Sequence, residues 1–503
     1  MKKVITLSAM AFFSTVVFAN SVTELAVPTA QETATQKMQA QVDALTAKIE
    51  TLEATQASAT ESTDKNTAMQ TTIDELTAKV KKLEKKQKRT IKSLTAVKKH
   101  DGHDNIKWNI DFRTAYNYLD YGLKNGENVS NASLFTNRLW LGMAAAPTNK
   151  LSFKGQIAVY NKWGGNNLSA TDPFQNVNWR ASSKADDIVM KIRQAYFVYK
   201  ITDGNFPISF SAGRRAAVDG FLANHREGLK EPGSPLAHIT NMEVDGAMIR
   251  VGNAFGLEGS YVKFVFGRSY TNINQPSYTG TPYTTVNATD ENVDFFVVPM
   301  SIYNDGQFNL MAQYTAIFNF MGSNQNLISP TNPAGATTGA GMKHMAAISL
   351  QVDGLYEDID FLDNSTLFAS VAGTQTNPDD GYKMLGSAKD QTGYSFWGGF
   401  IFPDLLTDEG KIGIEYNYGS KYWAPMTWAE DTMSSSKIAT RGSAYEAYWN
   451  LPFEKGHFTT QVRYTYMDYD YKSNIEQFWA DPALLPGDAK NTQELRVYFR
   501  YTY

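Results

Sequence analysis

The chain has 503 residues, no cysteine and a formal charge of −4. Without thiols there are no disulfides, Cys-ligated zinc, iron–sulfur clusters or thiol nucleophile, and the weak charge argues against nucleic-acid partners. No apolar run beyond the N-terminus is long enough for a membrane-spanning helix, and the mean hydropathy is −0.37.

Residues 1–19, MKKVITLSAMAFFSTVVFA, read as an export signal. Lys2 and Lys3 form a basic start, Val4 to Val17 a short apolar run, and Val17 and Ala19 the small residues before a cleavage site. Residues 20–37 read as a flexible linker rich in Thr, Ala and Gln.

From Met38 the apolar residues alternate spacings of three and four. Val42, Leu45, Ile49 and Leu52 form one seam, and Ile73, Leu76, Val80 and Leu83 another. This spacing predicts a coiled coil over 38–99. Its heptad phase slips by three residues across 54–68, which hold no large apolar side chain, so a break is expected there. Residues 79–99 carry ten Lys/Arg against Glu84 alone, a solvated face or a surface for anionic lipid head groups. The histidines of HDGHD (100–104) read as linker, and neither a metal site nor a cofactor is expected.

A compositional seam lies near residue 104. Residues 20–104 contain no aromatic residue, and Gly102 is the only glycine before residue 105. Beyond it the hydrophobic period becomes two. Ile106, Trp108, Ile110, Phe112 and Tyr116 alternate with Lys107, Asn109, Asp111, Arg113 and Asn117. Sixteen segments are predicted as strands: 106–120, 133–146, 151–163, 188–201, 208–217, 243–254, 258–272, 292–303, 307–321, 341–354, 364–376, 392–403, 411–424, 438–451, 457–472 and 491–503. Short connections alternate with mostly long ones, the first of the latter being 121–132. An even count, alternating faces and alternating connection lengths predict an all-β transmembrane barrel over 105–503, in the outer membrane, with the helical segment in the periplasm. Sixteen strands enclose enough space for an aqueous channel.

The last strand, Leu495-x-Val497-x-Phe499-x-Tyr501-x-Tyr503, resembles the C-terminal signal read by the barrel assembly machinery. RQAYFVYK (193–200) followed by FSAGRR (210–215) resembles a hairpin of large porins. Export signal, coiled coil and barrel together are similar to the sucrose and phosphate porins, and closest to a family of coiled-coil-containing outer-membrane porins of Gram-negative bacteria. The chain differs from the phosphate-selective group in lacking a lysine-rich constriction segment. The resemblance implies passive diffusion of small hydrophilic solutes or ions, a homotrimer in outer-membrane lipid, and cell-wall contact through the helical stalk.

Alternation points Arg113, Arg138, Arg193, Arg215, Arg250, Arg463, Arg496 and Arg500 inward. They either line a pore and focus anions or pair with neighbours such as Asp111 and Glu494 and stiffen the wall. The third long connection, 218–242, carries Asp219, Arg226, Glu227, Lys230 and Glu231; by resemblance it folds into the lumen as a constriction. The competing readings are a tether or receptor barrel that does not conduct, an adhesin, and an enzyme. The last is disfavoured because no G-x-S-x-G or H-E-x-x-H occurs.

Overall fold

The computed structural model describes residues 47–48, 51, 72, 74, 76–77, 79–81, 106–163, 190–217, 219–229, 232–271, 291–329, 332, 334–407, 409–427, 432–471 and 489–503. The export signal, the linker, the 54–68 break, Val42, Leu45, Ile49, Leu52, Ile73, Leu83, Lys230 and Glu231 lie outside them. The described residues before 82 are all helical, and Leu76 and Val80 are the two least exposed of these.

Beyond residue 106 sixteen long strands form one sheet. They are β1 (Lys107–Leu123), β2 (Asn128–Ala145), β3 (Leu151–Lys162), β4 (Met190–Thr202), β5 (Ile208–Ala217), β6 (Thr240–Gly252), β7 (Tyr261–Tyr270), β8 (Val293–Asn304), β9 (Phe308–Phe318), β10 (Gly341–Asp353), β11 (Thr366–Pro378), β12 (Gln391–Pro403), β13 (Lys411–Gly419), β14 (Gly442–Phe453), β15 (Phe458–Tyr469) and β16 (Ala489–Thr502). Each pairs antiparallel with the next, and β16 pairs with β1 from Asp111–Thr502 to Leu123–Ala489. Closure leaves no sheet edge, the condition for burying a sheet in hydrocarbon.

All sixteen predicted segments correspond to strands, with three corrections at their ends. The connection expected at 121–132 is only 124–127, because β1 and β2 run on to a tight turn. There Asn125 Oδ1 accepts from Glu127 N at 3.0 Å, and Gly126 takes a φ of +88° that a side chain would resist. β13 ends at Gly419 rather than 424, and β14 starts at Gly442 rather than 438. Gly419 and Gly442 face each other in register, and the chain between them turns inward.

The two faces of the wall differ as the alternation requires. Phe112, Phe135, Phe197, Phe264, Phe266 and Phe499 stand exposed on the outside, while Arg113, Asn117, Arg463 and Arg496 are wholly buried on the inside. The signal residues Leu495, Val497, Phe499 and Tyr501 fall on the outward face of β16, and exposed Tyr503 follows its end. β8 departs from this rule. Its run Phe295-Phe296-Val297-Val298-Pro299-Met300 is apolar on both faces, the pattern of a strand covered on both sides. Its inner cover is chain from inside the barrel. Phe221, Leu222, Leu236 and Ile239 from the connection after β5, and Trp423 and Ile438 from the connection after β13, join Phe295, Met311, Phe368 and Trp397 in one buried cluster.

Candidate functional site

The connection from β5 to β6 starts with two residues in left-handed backbone, Asp219 (φ +54°) and Leu222 (φ +85°). Such geometry costs about 1–3 kcal/mol at a non-glycine residue and persists only where packing imposes it. The Leu222 side chain is completely buried. Gly220–Phe221 pairs in parallel with Gly233–Leu236, so the segment closes on itself as a compact finger. Asn224 caps the tip, accepting from Leu222 N at 3.2 Å and donating to Leu229 O at 3.2 Å.

The finger crosses the lumen. His225 bonds Gln351 of β10 at 2.8 Å and stacks on Phe368 of β11. His238 lies between Ser370 of β11 (2.7 Å) and Ser395 of β12 (2.9 Å), with the edges of Trp397 and Trp423 around it. Leu236 N donates to Gln313 of β9 at 2.8 Å. At the tip, Gln461 of β15 donates to Arg226 O at 2.5 Å and Asn450 of β14 to the same oxygen at 3.3 Å. Burial in these surroundings pushes both imidazoles down, His238 to about 3. Both are therefore neutral at physiological pH.

Arg226 and Glu227 anchor a buried charge cluster. Glu227 lies 3.2 Å from Arg463, 3.5 Å from Arg226 and 3.6 Å from Arg113. Arg226 also reaches Glu446 at 3.8 Å, and Arg463 reaches it at 3.9 Å. The Glu227 carbonyl accepts from Arg500 at 3.2 Å. Burying each apolar side chain of the finger contributes about 1.5–3 kcal/mol. A buried ion pair yields little net stability, although breaking one is costly. The apolar flank therefore holds the finger in the lumen, and the charged tip fixes where it sits.

The predicted inward arginines divide into two groups. Arg138, Arg113 and Arg500 are directly opposed across β2, β1 and β16, and Arg463 opposes Arg496. These like charges are neutralised locally. Asp111 takes Arg138 at 3.1 Å and Arg500 at 2.6 Å. Arg496 bonds Asn117 at 2.6 Å and stands 3.8 Å from Glu494. Arg193 pairs with Glu243 at 3.1 Å and Gln156 at 2.6 Å, with Asp219 at 4.0 Å. Arg215 and Arg250, half-buried, lie instead over the rings of Tyr196 (4.1 Å) and Tyr261 (4.6 Å).

A second inward connection, 420–441, is absent from the sequence-based site. Met426–Thr427 adds a short parallel ladder to Thr240–Asn241, tying the two luminal segments together. Lys437 Nζ is 2.6 Å from Glu415 and also bonds Glu446. Glu494 accepts from the backbone of Met433 and Ser434, both at 3.0 Å. The readable signal was the inward phase of Glu415, Glu446 and Glu494, acids that alternation buries just as it buries the arginines.

The finger does not fill the barrel. Between it and the inner wall of β3 to β10 remains a cavity of about 460 Å³. It is lined by apolar Met242, Met248, Val265, Phe295 and Ile317 and by basic Lys154, Arg193, Arg215 and Lys263.

Three solved porin structures are similar in outline. The Salmonella typhi OmpF complex with daunomycin shares 12% identity over 80% of this chain and 99% of that one, with a TM-score of 0.43. The anion-selective porin from Comamonas acidovorans shares 11% over 79% and 99%, with a TM-score of 0.45. Pseudomonas putida OprB shares 12% over 79% and 94%, also at 0.45. No curated protein sequence matches. Residues 128–499, from the start of β2 into β16, match one family model, and the chain therefore belongs to the DUF3373 family of proteins of unknown function.

Proposed function

We propose that this protein is an outer-membrane porin of restricted bore, through which small hydrophilic solutes or ions diffuse passively past the luminal finger. The observation that carries this reading is the finger, its described residues bound to β9–β12 on one flank and to β14–β16 and β1 at its tip, with a cavity toward β3–β10. The chamber there is the passage. Arg226 and Glu227 act as the latch of the constriction, and Asp219, beside Arg193, lines the chamber entrance. Arg113, Arg138, Arg463, Arg496 and Arg500 stiffen the wall on which the latch closes, while Arg215 faces the passage. The barrel assembles as a trimer in outer-membrane lipid, with the segment 38–99 on the periplasmic side.

The test is single-channel current of the refolded mature chain in a planar bilayer under a salt gradient. Small ohmic steps, enlarged by Glu227→Gln, are expected. A folded barrel with no current in either form overturns the porin reading. It would select the second one, a receptor or tether barrel, which the solvent-free packing of Phe221, Leu222, Trp397 and Trp423 across the lumen favours.

A further inference from the structure

The wholly buried arginines of this barrel have a carboxylate within reach, and half-buried Arg215 at the chamber has none among the described residues. Arg215 lines the cavity, and its Nε and Nη2 are shielded from solvent without any hydrogen-bond acceptor. Among the described residues no carboxylate pairs with it, and its recorded partner is the face of Tyr196 at 4.1 Å. Acids of the adjacent strand and the finger are engaged elsewhere: Glu243 and Asp219 with Arg193, and Asp245 with Arg214 on the outer face at 2.7 Å. Further positive charge converges on the same space. Lys263 opposes Arg250 in register and lines the same cavity. A partly desolvated guanidinium without an anion is left under-compensated, unless a ligand supplies the charge.

The rest of the chamber specifies the ligand's other half. Met242, Met248, Val265, Phe295 and Ile317 line the same chamber. Methionine is flexible and polarizable, suited to apolar bodies of variable shape. A volume of about 460 Å³ falls in the range of about 300–1,000 Å³ typical of small-molecule sites.

We propose that this chamber is a binding site for a small amphipathic monoanion. Its carboxylate meets the Arg215 guanidinium where it lines the cavity, beside Lys263, and its aromatic or short alkyl body packs on Met242, Met248 and Phe295. A guanidinium makes a charge-assisted hydrogen bond to a carboxylate, so a neutral amide of the same shape loses the recognition. The proposal shares its chamber with the proposed passage but does not need ion flow, because binding is read whether or not the barrel conducts.

The experiment is calorimetric titration of the full chain in lipid nanodiscs with 4-phenylbutyrate and, separately, 4-phenylbutanamide. Saturable binding near one per barrel is expected for the carboxylate, at least tenfold weaker for the amide. Arg215→Gln should weaken the carboxylate at least tenfold, with Arg215→Lys between the two. Arg214→Gln, its outward neighbour, should change nothing. Heat-modified electrophoretic mobility confirms that each variant is folded. Equal binding of acid and amide, equal loss in R214Q and R215Q, or no saturable binding to the folded wild type each overturns the proposal. Failed conduction with intact binding overturns only the passage.

Discussion

Two stretches of the same wall hold inward arginines in the same alternation and treat them differently. On β14–β16, β1 and β2 the arginines are wholly or almost wholly buried, and acids that arrive from the finger or from adjacent strands neutralise them. On β5–β7 Arg215 and Arg250 lie on tyrosine rings beside an open chamber. The difference lies in what stands opposite. Where the luminal segments reach the wall, charge becomes structure. Where they stand off it, charge remains available to a solute.

The largest effect is expected at the latch. Glu227→Ala strands Arg113, Arg226 and Arg463 in a buried site, and removing one partner of such a cluster costs about 3–5 kcal/mol. The melting temperature from heat-modified mobility should drop sharply and conductance should rise. An unchanged melting temperature would erase the contrast between the two walls.

His238 gives the next effect, through pH. Its folded pKa lies at about 3, below the unfolded value of about 6.5. The unfolded state therefore binds more protons in that window, and stability is complete above pH 6.5 and lost as pH falls toward 3. The loss should reach about 2 kcal/mol by pH 5. His238→Gln should flatten the slope across that window in a pH series of unfolding. A slope that persists would place the acid sensitivity in the carboxylates of the latch wall instead.

Trp140 sits at the boundary, with Arg138 3.5 Å from one ring face and Arg193 at 3.8 Å. Trp140→Leu should cost about 1–2 kcal/mol in cation–π contact, and Trp140→Phe should recover part of it in the same assay. The smallest effect belongs to the outer face. Arg214→Gln breaks an exposed pair with Asp245, and such pairs contribute about 0–1 kcal/mol.

The strand count and the inward phase of Arg113, Arg463, Arg496 and Arg500 were readable because a strand's faces alternate locally and lipid excludes charge from one of them. Placing the 218–242 connection in the lumen came from resemblance rather than from the residues. One local sign did exist, the loss of alternation in β8, where Phe295 and Val297 point inward. The connection 420–441 passed unread because Trp423 and Lys437 lie in irregular chain, which has no period to interpret. The turn at 124–127 was misread because polar Asn128, Ser130 and Asn131 look like loop, whereas pairing with β1 makes them strand.

By itself the sequence determined a sixteen-stranded alternation, its outward apolar face and the residues forced inward, since each follows from neighbours one or two positions apart. Only the tertiary structure decided which inward charges meet a partner. Arg463 and Glu227 are separated by 236 residues in the chain. Whether an inward arginine faces a carboxylate or a cavity depends on where two long connections end inside the closed barrel.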